Sequence, residues 1–481
     1  MMKLMNINIS RLLLVVAATF ALSSCNDFLN DIPKGQKIPA TWADYNAFIK
    51  NTNTYHYHEM DQLFYLVGDQ FLTPNKLNSD RFARANYYWD ESVKRVEAMA
   101  STDKNPYFSA YEAIFAWNLI IEYAPEATEC TNQQREMLIA QARVLRAMNY
   151  FYLANYFAAP YGPDNLQKLS VPMVTSSSVE SPSPQVTIEK LYAFILDDLN
   201  KAVAALPEEG ETRFHPTQAA GYGMLARVYL AMGNYEEALK NANAALALND
   251  KLYDWIAFYN DDKKRFDDPN EYSASCKSNP EFENPENYLF RYGSSNDWQG
   301  IKGTAYALPA ERATKFEKGD TRLITHWKDK TSSSGIRYFA GIYGLSSNKG
   351  GMRAAEMYYI KAECLARKGG EANIKEAMDL VNKVRKTRIL PDDYKAWTAS
   401  TTKEAVNKIF DDKANEFIQS QVIFCDYRRL NQDPEYARVL TRTEDKDTYR
   451  LQPNSHLWIM PFPMEAITNP GNGTLTQNVD K

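Results

Sequence analysis

The chain has 481 residues, 44% of them hydrophobic, so it can bury a large core, and one or two domains are expected. Its formal charge is −5, and the first 24 residues hold Lys3 and Arg11 and no acid, so removing them makes the balance more negative still. That argues against nucleic acid as the main partner, which would favour a basic face.

The N-terminus is a targeting segment and stands apart from the fold. Lys3 and Arg11 accompany an apolar run of eleven residues, Leu12 to Leu22, too short to span a bilayer as a stable helix. The run ends in Leu22-Ser23-Ser24-Cys25, which resembles a bacterial lipobox. The resemblance implies a leader over residues 1–24, cleavage before Cys25 and lipidation of that cysteine. Several acyl chains on one residue anchor stably where one chain does not. An ordinary signal peptide with an incidental cysteine is the alternative. Residues 25–39 are then a lipidated polar tether, and 40–481 form the domain.

Within the domain, Thr41 caps a helix whose apolar stripe is Trp42, Tyr45 and Phe48. His56, His58 and Glu59 read as a polar surface loop, because no further metal ligand follows at motif spacing. From Thr73 to Asp90 the chain is polar with a terminal aromatic cluster, which predicts a loop. A helix over about 107–123 has Tyr111, Ile114, Phe115, Asn118 and Leu119 as inner positions.

Three helix pairs follow, at about 135–206, 217–248 and 353–388. In the central pair, Tyr222, Leu225, Ala226 and Tyr229 share one face, as do Tyr235, Ala238, Leu239, Ala242, Ala245 and Leu246. Small residues allow close helix approach, and Gly233-Asn234 reverses the chain. The pattern is similar to a tetratricopeptide (TPR) hairpin. Tyr358, Ala362, Leu365, Gly369-Gly370, Ala377, Val381 and Val384 repeat it. The first pair is split by residues 158–187, rich in Pro and Ser. On its second helix, Asp197-Asp198 reads as a solvated face.

Residues 260–351 form the longest irregular stretch, an insertion carrying Tyr288, Phe290, Tyr292, Trp298, Tyr306, Trp327, Tyr338 and Tyr343. Loops this long in a helical protein are usually functional. Its Asp261-Asp262 and Asp267-Asp268 pairs lack the spacing and central glycine of an EF-hand. Thr401 and Glu404 form a capping box, and Arg428-Arg429 reads as an ion-pairing surface patch. Cys130, Cys276, Cys364 and Cys425 are widely spaced with no CxxC, which favours buried free thiols.

These blocks, in this order, resemble the SusD/RagB family of surface lipoproteins. The lipobox comes first. Residues 142–162, a proline-rich connection and residues 187–207 resemble the family's most recognisable block. Residues 217–246, 284–292, the Asp320-x-Arg322 pair, 354–369, 424–430 and 460–478 fall in place after it. Residues 409–430 depart from the pattern, since the family usually carries a more Glu/Arg-rich helix there, so its local ion pairing is not carried over.

The resemblance implies a mainly α fold, a TPR-like helical hairpin scaffold with a loop-rich ligand-binding insertion. It implies a non-enzymatic protein, lipid-anchored on the outer face of the outer membrane. There it would act as a lid over a SusC-like TonB-dependent transporter, capturing oligosaccharides or, in some members, peptides. Ligand residues vary among members, so none is carried over as a motif.

The residues themselves supply candidates. Sugar binding needs flat aromatic faces for pyranose C–H groups, with amide, carboxylate and guanidinium side chains for the hydroxyls. Residues 84–90 offer Arg84, Tyr88 and Trp89, and residues 294–299 offer Asn296, Asp297 and Trp298. The bland alternative is that Trp89 merely anchors its segment to the helices. GxSxG, HExxH, P-loop and dinucleotide fingerprints are absent. No cofactor is implied. A surface glycoside hydrolase and a TPR-type scaffold or peptide binder remain as rivals.

Overall fold

The computed structural model describes residues 39–51, 61–268, 270, 281–291, 303–342, 348–444, 446–471 and 473–479. Cys25, His56, His58, Glu59, Cys276, Tyr292, Asn296, Asp297, Trp298 and Tyr343 lie outside the described residues.

Capping residues set where the first helices begin. Helix α1 (Trp42–Lys50) opens on Thr41, whose hydroxyl accepts the Asp44 N–H at 3.2 Å while the Asp44 carboxylate accepts the Thr41 N–H at 3.0 Å. After α2 (Gln62–Val67), the segment expected to be a loop is instead two short helices, α3 (Pro74–Ser79) and α4 (Arg81–Tyr88). Thr73 caps α3 with Pro74 in its first turn, and the Asp80 carboxylate caps α4 through the Ala83 N–H at 2.8 Å. Phe82, Ala83, Asn86 and Tyr87 bury the inner face of α4. Their helical spacing spans too few residues to stand out as a period.

Helix α5 (Ser101–Tyr123) buries Ile114 and Asn118, but Phe115 is 41% exposed. It lies seven residues from Phe108, itself 43% exposed, so both project from one outward face. Against α5 packs α6 (Asn132–Phe157), in which every residue from 144 to 157 is buried, the mark of a helix surrounded by protein.

The paired helices repeat along the chain. α6 pairs with α7 (Ile188–Ala202), and α8 (Gln218–Ala231) with α9 (Tyr235–Leu248). A short antiparallel ribbon, β1 (Leu169–Pro172) with β2 (Gln185–Thr187), fills the split in the first pair. In the second pair, Ala226, Ala238, Ala242 and Ala245 are fully buried, and Gly233, at φ +74°, ends α8 in a conformation few side chains tolerate. Leu239 and Leu246 of α9 touch both this core and a second one, built from α11 (Ala354–Lys368), α12 (Glu371–Arg385) and α13 (Thr402–Glu416). The last long helix is α14 (Gln421–Leu430). The whole is mainly α, on a TPR-like scaffold.

The insertion is less irregular than its composition suggests. β3 (Asn287–Leu289) pairs with β7 (Met352–Arg353), and β4 (Gly303–Pro309), β6 (Arg337–Gly341) and β5 (Trp327–Thr331) form an antiparallel sheet in the order β4-β6-β5, with α10 (Thr321–His326) leading into β5. β5 and β6 bury only part of their length, so neither shows clean alternation. A final hairpin joins β8 (Leu440–Glu444) to β9 (Asp447–Leu451).

Buried ion pairs bind these parts, and the segment whose pairing was not carried over supplies the centre. Glu416 on α13 accepts from Arg322 at 3.0 Å, Arg353 at 3.0 Å and Arg388 at 2.9 Å. Arg322 also meets Asp320 at 2.7 Å and Asp412 at 2.8 Å, and Arg388 meets Glu286 at 2.7 Å. Two expectations of surface charge are corrected. Asp198 is fully buried and takes Arg143 at 2.6 Å and Arg146 at 2.7 Å, while only Asp197 is solvated, beside Lys201. Arg428 is buried on the carbonyls of Asn155 and Ala158, and Arg429 spans Glu363 and Asp426. Cys364 and Cys425 are buried free thiols and Cys130 is a half-buried one; burial pushes the first two up to about 12.

Burial alone would raise the Glu363 carboxyl, but Arg429 and Arg367 outweigh it and hold it at about 2. A depressed folded value means stability present above the unfolded value of 4.5 and lost as pH falls toward 2. Urea unfolding of Glu363→Gln should therefore show lower stability near neutrality. It should also show a flatter decline between those two pH values, missing about 3 kcal/mol of the wild-type change. Parallel pH profiles would contradict this.

Candidate functional site

A cleft of about 1260 Å³ opens between the helices and the C-terminal hairpin. It draws on α3, α4, the segment after β4, α13, and strand β8 with the residues before it. A second cavity, about 50 Å³ beside the Glu416 ion pairs, has room for about one water and none for a sugar.

Three sequence-selected residues line the large cleft together: Arg84, Tyr88 and Trp89. Arg84 is exposed on α4. Tyr88 is half-buried, and its hydroxyl donates to Glu444 at 2.7 Å, which ties α4 to the β8–β9 hairpin. Its ring lies 4.7 Å from Tyr449 and meets Tyr87 edge-on at 5.1 Å. Burial pushes the Tyr87 phenol up to about 12, and burial with Glu444 raises Tyr88, so both stay neutral at physiological pH. Trp89 is only 6% exposed. It closes α4 with a left-handed φ of 55°, and its indole N–H donates to the Leu66 carbonyl at 2.9 Å. Trp89 is therefore mostly an anchor, one that also borders the cleft.

Asn296, Asp297 and Trp298 lie outside the described residues. Of the other insertion aromatics, Tyr306 and Trp327 are buried, the Trp327 indole donating to the Tyr306 carbonyl at 2.9 Å. Tyr338 is half-buried and stacks on Phe71 at 4.7 Å, with Phe71 facing the cleft.

Sequence reasoning missed the lining from the C-terminal half. Arg312 bridges Asp69 at 2.6 Å and Asn415 at 2.8 Å, fixing the insertion to α13. Arg438 lies 4.3 Å over Phe410 and pairs with Asp411 at 2.6 Å. Arg442 on β8 sits 3.4 Å over the Tyr87 ring. Trp397 is half-buried, its N–H donating to Glu317 at 3.0 Å and its ring covered by Arg385 at 4.0 Å. Nothing in their local sequence singles them out.

The lining combines aromatic rings, guanidinium groups and amides, which can stack on sugar faces and bond hydroxyls. Of its carboxylates, Glu444 and Asp411 are engaged, by Tyr88 and Arg438, and Glu311 has no side-chain partner among the described residues. Asp262 and Asp267 pair with Arg265 and Lys263, and among the described residues no group of three His, Cys, Asp or Glu could hold a metal ion.

Comparison with known proteins gives two family matches. Residues 27–230 match a family described as starch-binding and associating with the outer membrane, and residues 249–480 match the SusD family. A SusD superfamily protein from Bacteroides thetaiotaomicron superposes with a TM-score of 0.69, at 17% identity, covering 92% of this chain and 100% of that one. A putative sugar binding protein from Bacteroides vulgatus gives 0.67, at 17% identity over 92% and 99% of the two chains. Surface glycan-binding protein A from Bacteroides uniformis gives 0.64, at 17% identity over 92% and 99%. At such identity these structures speak for the fold alone. No curated protein sequence matches the chain.

Because the Trp89 indole is packed and hydrogen-bonded, Trp89→Ala should lose about 3 kcal/mol of stability in chemical unfolding. An unchanged unfolding midpoint would show that the indole is not an anchor.

Proposed function

The chain belongs to the SusD family, and on that premise we propose that it is a cell-surface lipoprotein that captures oligosaccharides and passes them to a TonB-dependent outer-membrane transporter. The observation that carries this reading is the large cleft in which Arg84, Tyr88 and Trp89 stand beside Trp397, Asn415 and several arginines. Residues of this kind supply stacking faces and directional donors without a reactive centre. The family description, starch-binding and associating with the outer membrane, points the same way, as do the names of two structural neighbours, a putative sugar binding protein and a surface glycan-binding protein.

In this reading Cys25 carries the lipid that holds the protein to the outer face of the outer membrane. Asn296, Asp297 and Trp298 join Arg84, Tyr88 and Trp89 on the ligand. In this reading the protein performs no catalysis: Glu444 and Asp411 serve as hydrogen-bond and ion-pair partners, which leaves Glu311 as the lining carboxylate without one, where glycoside hydrolysis uses a pair. A SusC-like barrel supplies the passage, as the resemblance to the family implies, and among the described residues no helix is long and apolar enough to cross a membrane.

A panel of oligosaccharides titrated calorimetrically tests the capture. At least one glycan should bind, and Tyr88→Ala or Trp298→Ala should weaken it about ten-fold, the loss of one stacking face at 1–2 kcal/mol. Binding of peptides alone would contradict the reading, as would release of new reducing ends.

A further inference from the structure

Resting on the reading of the cleft as a glycan site, we propose that it selects an acidic glycan, bearing carboxylate or sulfate groups, and that Arg442 is the side chain that takes the anion.

The first observation is a guanidinium without a counterpart. Arg442 is 7% exposed, and its Nη1 and Nη2 are buried with no hydrogen-bond partner among the described residues. The other buried arginines are satisfied differently. Arg227, Arg322 and Arg388 end on carboxylates, and Arg428 ends on main-chain carbonyls. Burial lowers the Arg442 pKa, and Glu444 and Glu311 oppose this only through space. Glu444 is occupied by the Tyr88 hydroxyl. An unpaired buried charge is costly enough that a partner is expected.

The second observation is shape. The Tyr87 ring, 3.4 Å away, and Trp89, at 5.5 Å, hold the guanidinium by its flat surface, and its edge, without a hydrogen-bond partner, suits a planar or tetrahedral oxyanion once uncovered. Gly68 borders the cleft beside Arg442 Nη2, and its φ of +80° favours glycine there, so that flank carries no side chain. The Nη atoms are covered, so docking requires the guanidinium to slide on Tyr87 toward the cleft. It breaks no hydrogen bond at Nη1 or Nη2 in doing so.

The third observation is charge. Arg84 and Lys315 also line the cleft, and like Arg442 their side chains have no partner among the described residues. Of the lining acids, Asp411 is paired with Arg438, while Glu311 and Glu444, whose partner is the neutral Tyr88 hydroxyl, keep their charge, so three unpaired cations face two unpaired carboxylates. The free charge of the cleft is thus positive in a chain whose formal charge is −5. Such a local excess draws anions and disfavours neutral polymers that must displace the same water for less return.

Calorimetry on the purified protein decides it, with five probes: oligogalacturonate, the same oligomer fully methyl-esterified, a sulfated chondroitin oligosaccharide, a malto-oligosaccharide and an oligoglutamate peptide. Oligogalacturonate or the chondroitin oligosaccharide should bind at least ten-fold tighter than the esterified and malto probes, weakening as salt is raised; because the chondroitin oligosaccharide carries uronate carboxylates besides its sulfates, tight oligogalacturonate binding shows that carboxylate suffices, and binding of the chondroitin oligosaccharide without oligogalacturonate shows that sulfate is needed. Arg442→Met and Arg84→Gln should each weaken that acidic glycan about ten-fold. Arg442→Met should not lower the melting temperature, because it removes an unpaired buried charge, and Arg84→Gln keeps the test open if the first variant fails to fold. Neutral probes binding as tightly as acidic ones would overturn the inference and leave glycan capture standing. Acidic binding untouched in both variants would overturn the role of Arg442. Binding of the peptide alone, or of no probe, would overturn the glycan reading itself.

Discussion

One carboxylate holds three arginines from three separated parts of the chain. Arg322 comes from the insertion, Arg353 from the strand before the third helix pair, and Arg388 from beyond the end of that pair, and all meet Glu416. Burial would raise the Glu416 carboxyl, but Arg388 and Arg353 outweigh it and keep it ionised far below the usual range. Removing one member of such a cluster leaves the others charged and buried, which typically costs 3–5 kcal/mol, roughly a third or more of a domain's net stability. The cluster therefore fixes where the insertion sits on the scaffold.

The same helix that carries the cluster also builds the cleft. Asp412 and Glu416 reach inward to the arginines, while Phe410, Asp411, Ala414 and Asn415 line the cleft. Gln419, just beyond, adopts a left-handed φ of 53° and donates to the Asp69 carbonyl at 3.1 Å and to Gln70 at 2.9 Å. Arg312 reaches the same two regions from the insertion side. The cleft is thus an outcome of the ion cluster's geometry, and a shift of α13 would move the cluster and the lining together.

Local patterns were legible where one interaction dominates a window of residues. The alanine and tyrosine spacings of residues 218–248 announced a helix pair because a tight helix crossing needs those small residues. Thr41 and Asp44 announced a helix start because a cap is a contact three residues long. What stayed illegible depends on partners far along the chain. Asp198 looked solvated because charge defaults to water, and only Arg143 and Arg146, 55 and 52 residues earlier, show otherwise. Tyr88 could be singled out as a sugar-type aromatic, yet its partner Glu444 lies 356 residues away, so the hairpin that completes the cleft carried no sign of it. Phe115 was placed inward because an aromatic on a helix usually is, and the helix phase sets it outward instead.

The central claim is that sugar seats in this cleft, against Tyr88 and between α4 and the β8–β9 hairpin. A crystal structure of the protein with a glycan it binds in solution tests that most directly. The account predicts ordered sugar within hydrogen-bond or stacking distance of Arg84, Tyr88 and Arg442. Sugar bound instead on the outward face of α5, beside Phe108 and Phe115, with the cleft holding only solvent, would contradict it.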